Sequence, residues 1–115
     1  MTEKSNDEKF TRAMVVVAHA DDAEFGCSGT VAKLCSQDWE LVYVMCTDGS
    51  KGTSDPELTG QELAKVRRKE QINAGKVLGL KEVVFLDHED SMLRPTLELR
   101  RDIAREIRRY KPDVV

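Results

Sequence analysis

The chain is 115 residues long, 40% hydrophobic and 34% charged, the make-up of one globular domain with a modest core. Its 18 basic and 21 acidic side chains leave a net charge of −3, which gives no case for nucleic acid or an anionic membrane as partner. No apolar run is long enough to cross a bilayer, and the opening residues lack the charged-then-apolar pattern of a secretory start.

Residues 1–12 read as a polar tail, expected to be disordered. The first strand is expected over Ala13–Ala18, an apolar run rich in β-branched residues that suits a strand buried on both faces. It stops at His19, followed by Asp21, Asp22 and Glu24. Helix one is expected from about Gly26 to Gln37, with Val31, Leu34 and Cys35 as its apolar stripe. Strand two is LVYVMC, Leu41–Cys46. Residues 48–58 carry loop chemistry, Gly, Ser, Asp and Pro, and the loop is long enough to line a site.

Thr59 with Glu62 is a capping-box signature that opens helix two. Leu63, Val66, Ala74, Val77 and Leu78 are its expected inner face, and Gly79 its C-cap. Strand three is expected over Glu82–Leu86, followed by a polar loop, DHEDSMLR. Pro95 is placed just inside helix three. Leu99, Ile103, Ile107 and Tyr110 fall on one face of that helix, with the arginines on its solvated side. Pro112 ends it, and Val114 and Val115 open a fourth strand.

The order β-α-β-α-β-α-β predicts an α/β fold: a Rossmann-like, doubly wound parallel sheet with flanking helices, cut off after the start of strand four. The common strand order sets strand four beside strand one, with the crevice between the loops that follow them. Residues 13–115 are accordingly expected to be the amino-terminal part of one longer domain.

His19 and Asp22 stand three apart across a turn, close enough to grip one cation. Imidazole plus carboxylate suits zinc, and also ferrous iron or manganese. Spacing alone leaves a second reading equally good, in which the acidic residues cap helix one and His19 is merely hydrogen-bonded. Gly26 and Gly29 do not make a phosphate loop, because G-C-S-G-T lacks the Walker lysine and the third glycine of a dinucleotide fingerprint. Close packing of helix one on the sheet is the plainer account. Cys27, Cys35 and Cys46 are odd in number and lack a C-x-x-C pair. They read as free, partly buried thiols in a reducing cytoplasm.

AHADDAEFGCSGT resembles the A-H-P-D-D-x-E-x-G-x-G-G-T signature of the LmbE-like / PIG-L family of zinc-dependent N-deacetylases. The likeness continues through TDGSKGTSDPELT, VRRKEQINAGKVLGLKEVVFL and PTLELRRDIAREIRRYKPDVV. It implies removal of an acetyl group from an N-acetylglucosaminyl or similar N-acyl substrate. It implies His19 and Asp22 as ligands of Zn2+ and Asp21 as general base. Arg67, in the family-like R-x-x-E of helix two, is a candidate substrate contact, against the plainer reading of a solvated helix charge. Ala20 stands where the family has proline, which loosens the turn without removing a ligand. The family's third ligand, a histidine beyond strand four, lies past Val115.

Of the remaining polar residues, His88 reads as a surface loop residue rather than a substitute ligand, and Asp87, Glu89 and Asp90 as loop solvation. Asp48 is divided between an Asp-Gly turn and a place near the site. Two other function classes stand beside the hydrolase. One is a non-catalytic fragment or subunit that needs a second chain to complete its sheet, and homo-oligomers are compatible with the sequence. The other is a nucleotide- or anion-binding module.

Overall fold

Strand β2, Glu40–Thr47, is the spine of the molecule, with every residue from Leu41 to Thr47 buried. The structure is a computed structural model and describes residues 11–19, 22–49, 59–89 and 93–115. Strands β1 (Arg12–Val17) and β3 (Glu82–His88) flank β2, both parallel to it, in the order β1-β2-β3. On the other edge of β1, Ala13 forms a parallel bridge with Val114, and Met14 N–H donates to the Val114 carbonyl at 2.9 Å. The segment expected to open strand four therefore does run beside strand one, still parallel, and the order of strand addition reverses there, as the doubly wound order requires.

Among the described residues three helices cover the sheet: α1 (Asp22–Ser36), α2 (Gly60–Leu78) and α3 (Leu97–Tyr110). Side chains alternate along β2. Leu41, Tyr43 and Met45 pack with Ala23 and Val31 of α1 and Leu78 of α2. Val42 and Val44 pack with Met14, Ile107 and Tyr110 on the α3 side. A strand apolar on both faces is thus explained by helices on both faces.

The cap signals are present as expected. Glu62 N–H donates to Thr59 Oγ1 at 3.1 Å, and Thr59 N–H donates to the Glu62 carboxylate at 3.2 Å. Gly79 ends α2 in the left-handed conformation, φ 86°, which a residue without Cβ adopts freely.

Five expectations need correction. Helix α1 begins at Asp22, not Gly26, because Asp22 and Glu24 in the first turn favour the positive end of the helix dipole. Gly26 and Gly29 do not serve close packing, since a Cβ at either meets nothing within 4 Å. The tight approach is at Gly75, where a Cβ would lie 2.9 Å from Val83 Cγ2. Helix α2 buries Leu63, Gln71 and Gly75, whereas Val66 and Val77 are exposed, Val77 at 88%. At about 100° per residue those two valines fall on the flank of the buried stripe. Pro95 lies outside α3: Thr96 is the N-cap, its hydroxyl accepting from Leu99 N–H at 3.1 Å, an acceptor proline cannot supply.

The fifth concerns strand three, which runs to His88 rather than stopping at Leu86. Met45 pairs with Phe85 but Thr47 with His88, so β3 carries one extra residue there. Asp87 takes up the irregularity with φ 59°. His88 is therefore a strand residue, not part of a loop.

Candidate metal centre

The carboxyl end of β1 is fixed before any site chemistry begins. Thr47, itself buried, donates to the Ala18 carbonyl from both its backbone N–H, at 2.9 Å, and its hydroxyl, at 2.7 Å. That double contact locks the residue before His19 to the end of the central strand. His19 follows, three residues before Asp22 opens α1.

His19 and Asp22 are brought together. His19 N–H donates to Asp22 Oδ2 at 3.0 Å, and His19 Nδ1 lies 3.6 Å from the same oxygen. Both side chains are about half exposed. The first contact is a carboxylate of the first helical residue reaching back three residues to a backbone N–H.

The donor set fits a metal. The distance of 3.6 Å is too long for a hydrogen bond between the side chains. Two donors, each about 2.0–2.2 Å from a tetrahedral zinc, would stand roughly 3.4 Å apart. The observed pair comes close to that separation without rearrangement. Among the described residues no group of three or more His, Cys, Asp or Glu converges as a metal site. A zinc shell would need a third protein donor beside this pair. Asp21 and Ala20 lie outside the described residues, as do Asp90 and most of the 48–58 loop.

A second polar region is formed by α2 and the ends of β2 and β3. Arg67 is one-third exposed and lies 3.8 Å from Glu70. With Asp48, Gly49, Ala64 and Asp87 it lines a narrow pocket, and its Cγ lies 3.5 Å from the position of a Cβ on Gly49. Gly49 has φ 69° and Asp48 N–H donates to the His88 carbonyl at 3.0 Å, while the rest of the expected Asp-Gly turn lies outside the described residues.

Two residues depart from the sequence reading. His88 is not a solvated surface residue: its Nε2 is 2.7 Å from Asp102 Oδ2, with both side chains about four-fifths buried. Asp87 is more than loop solvation, since it accepts from Arg68 Nη1 at 3.2 Å. Asp102 and Gln71 are buried partners that sequence reasoning passed over. Two acids turn inward on the arginine-rich α3, Asp102 and the buried Glu106. Cys27, Cys35 and Cys46 are free thiols, as expected, and burial pushes the Cys35 and Cys46 thiols up.

The family described as PIG-L, GlcNAc-PI de-N-acetylase, matches residues 14–115. The chain belongs to the PIG-L family. Its PIG-L relatives include a diacetylchitobiose deacetylase of Thermococcus kodakarensis, 37% identical over all of this chain and 42% of that protein. Among solved structures, the N,N'-diacetylchitobiose deacetylase of Pyrococcus horikoshii superposes with a TM-score of 0.89 at 36% identity, covering 93% of this chain and 40% of that one. A 4-carboxy-2-hydroxymuconate hydratase from Pseudomonas putida KT2440 superposes with a TM-score of 0.82 at 28% identity, covering 91% and 46%. The chain thus spans less than half the length of these PIG-L-like proteins. Among its described residues no helix is long and apolar enough to cross a membrane.

Proposed function

We propose that the whole protein containing this chain is a metal-dependent amide hydrolase that removes an acetyl group from an N-acetylated amino-sugar conjugate. The observation that carries this reading is the pairing of His19 and Asp22 at the carboxyl end of β1, 3.6 Å apart. Membership of a de-N-acetylase family supports it, as do deacetylase relatives at 36–37% identity. His19 and Asp22 hold the metal, zinc in the first instance and ferrous iron as the substitute, with a third ligand from outside the described residues. Such an ion supplies carbonyl polarisation and a water acidic enough to react near neutral pH.

The chain's own residues do the rest. Asp21, next in sequence to Asp22, takes a proton from the attacking water as general base. The water oxygen bonds to the acetamide carbon. Asp21 returns that proton to the nitrogen as the C–N bond breaks, the amine leaves, and acetate remains once its acid proton passes to the amine. Arg67, beside the end of β2, contacts a polar group of the sugar conjugate.

The test is acetate release from N,N'-diacetylchitobiose by the whole protein loaded with zinc, compared with the His19→Ala variant. Acetate from the parent and none from the variant is the expected result. The hydratase among the similar structures favours a second reading, water addition to a carbon–carbon double bond at the same pair. Hydration of an unsaturated tricarboxylate without acetate release would select it.

A further inference from the structure

Glu24 and Gln71 are 47 residues apart and meet in the interior, Gln71 Nε2 donating to Glu24 Oε1 at 2.7 Å. Gln71 is 1% exposed. The bond crosses between α1 and α2 under the sheet face that carries Tyr43. Among the described residues the other Glu24 oxygen and the Tyr43 hydroxyl are both buried without a hydrogen-bond partner. The Tyr43 phenol is pushed up first by burial, then by the charges of Cys27, Glu24 and Cys35, so the carboxylate acts on the same buried region.

Keeping a carboxylate and an amide in an apolar interface is costly, and a leucine at 71 would pack there without that penalty. What the polar pair adds is a short, directional, charge-assisted bond that fixes one separation between the helices. One end of this bond adjoins Asp22 in sequence, and the other adjoins Arg67. Glu24 shares the first turn of α1 with Asp22. Gln71 is four residues after Arg67, on the same side of α2.

We propose that Glu24 and Gln71 are positioning residues, whose hydrogen bond sets the start of α1, with Asp22, against the turn of α2 that carries Arg67. The pair thereby sets where an N-acetylated substrate rests relative to His19 and Asp22. This inference rests on the deacetylase reading.

The test uses the whole zinc-loaded protein with N,N'-diacetylchitobiose and three variants: Gln71→Met, Gln71→Glu, and the exchanged pair Glu24→Gln/Gln71→Glu. Gln71→Met removes the donor at similar volume, and Gln71→Glu sets two carboxylates face to face. Each raises KM by about fivefold or more, because the substrate contact shifts from the reacting centre. Zinc affinity stays within about twofold of the parent, since His19 and Asp22 are both on the α1 side of the bond. The exchanged pair restores a donor and an acceptor and returns KM towards the parent value. Loss of folded protein alone lowers the apparent kcat and leaves KM unchanged. Unchanged KM in both single variants therefore overturns the proposal, as does an exchanged pair as impaired as Gln71→Glu. Deuterium exchange over residues 22–30 and 63–71 is the second readout, faster in the single variants and restored in the exchanged pair. If the parent releases no acetate, the deacetylase reading falls by itself. Exchange that is unchanged in the single variants then overturns the clasp separately.

Discussion

His88 Nε2 lies 2.7 Å from Asp102 Oδ2, joining the last residue of β3 to the second turn of α3. One residue earlier, Asp87 meets Arg68 of α2 at 3.2 Å. Consecutive residues thus tie the end of β3 to helices of both layers. The two contacts differ in burial: His88 and Asp102 are 18% and 20% exposed, whereas Arg68 and Asp87 are 50% and 54% exposed.

That difference sets the energies. Asp102→Ala leaves a mostly buried imidazole without its partner and is expected to cost about 1.5–3 kcal/mol. Asp87→Ala removes an exposed ion pair and is expected to cost less than about 1 kcal/mol. Urea unfolding of the whole protein checks both. Equal losses would mean that the His88 contact contributes no more than a surface pair.

The two ligands proposed for the metal should be separable from the fold. His19→Ala and Asp22→Ala each remove a donor from a half-exposed site, so thermal stability of the metal-free protein should change by less than about 1 kcal/mol. Zinc affinity should fall by more than the roughly 10–100-fold that loss of an outer-shell partner costs. Calorimetric titration with zinc measures this. Parent-like affinity in both variants would remove the metal assignment.

Glycine substitutions give opposite signs within two helices. Gly29→Ala adds a methyl into open space inside α1 and should stabilise by about 0.5–1 kcal/mol. Gly75→Ala drives a methyl to 2.9 Å from Val83 Cγ2 and 3.2 Å from Leu80 Cδ1, and should destabilise by about 1–3 kcal/mol. Melting temperatures of the two variants should move in opposite directions.

Alkaline stability follows from the buried acids that stay protonated. Burial raises the Cys35 and Cys46 thiols from their ordinary 9.0, and the Tyr43 phenol from its ordinary 10.0. Between the ordinary and raised values the unfolded chain has lost these protons while the folded chain keeps them. Stability is therefore undiminished below about pH 8.5 and falls as pH rises above it. Tyr43→Phe removes the phenol contribution. Its hydroxyl has no partner among the described residues, so the change should be near neutral at pH 7 and should flatten the decline above about pH 10. Denaturant midpoints across pH 7–11 test the sign, estimated from these ordinary ionisation ranges.

The sequence by itself determined the alternation of strands and helices, the caps at Thr59 and Gly79, the parallel sheet and the pairing of His19 with Asp22. All of these depend on neighbours within a few residues or on an apolar run long enough to define a buried strand. Only the tertiary structure decided which side of α2 faces the core, because Val66 and Val77 look apolar in any window while Gln71 is buried by its partner Glu24. It likewise decided that Gly75, not Gly26 or Gly29, is the point of close approach. The extra residue at Asp87 and the His88–Asp102 contact also belong to the tertiary level. Register slips and buried polar pairs are set by what arrives from distant parts of the chain, and local composition carries no record of the partner's distance.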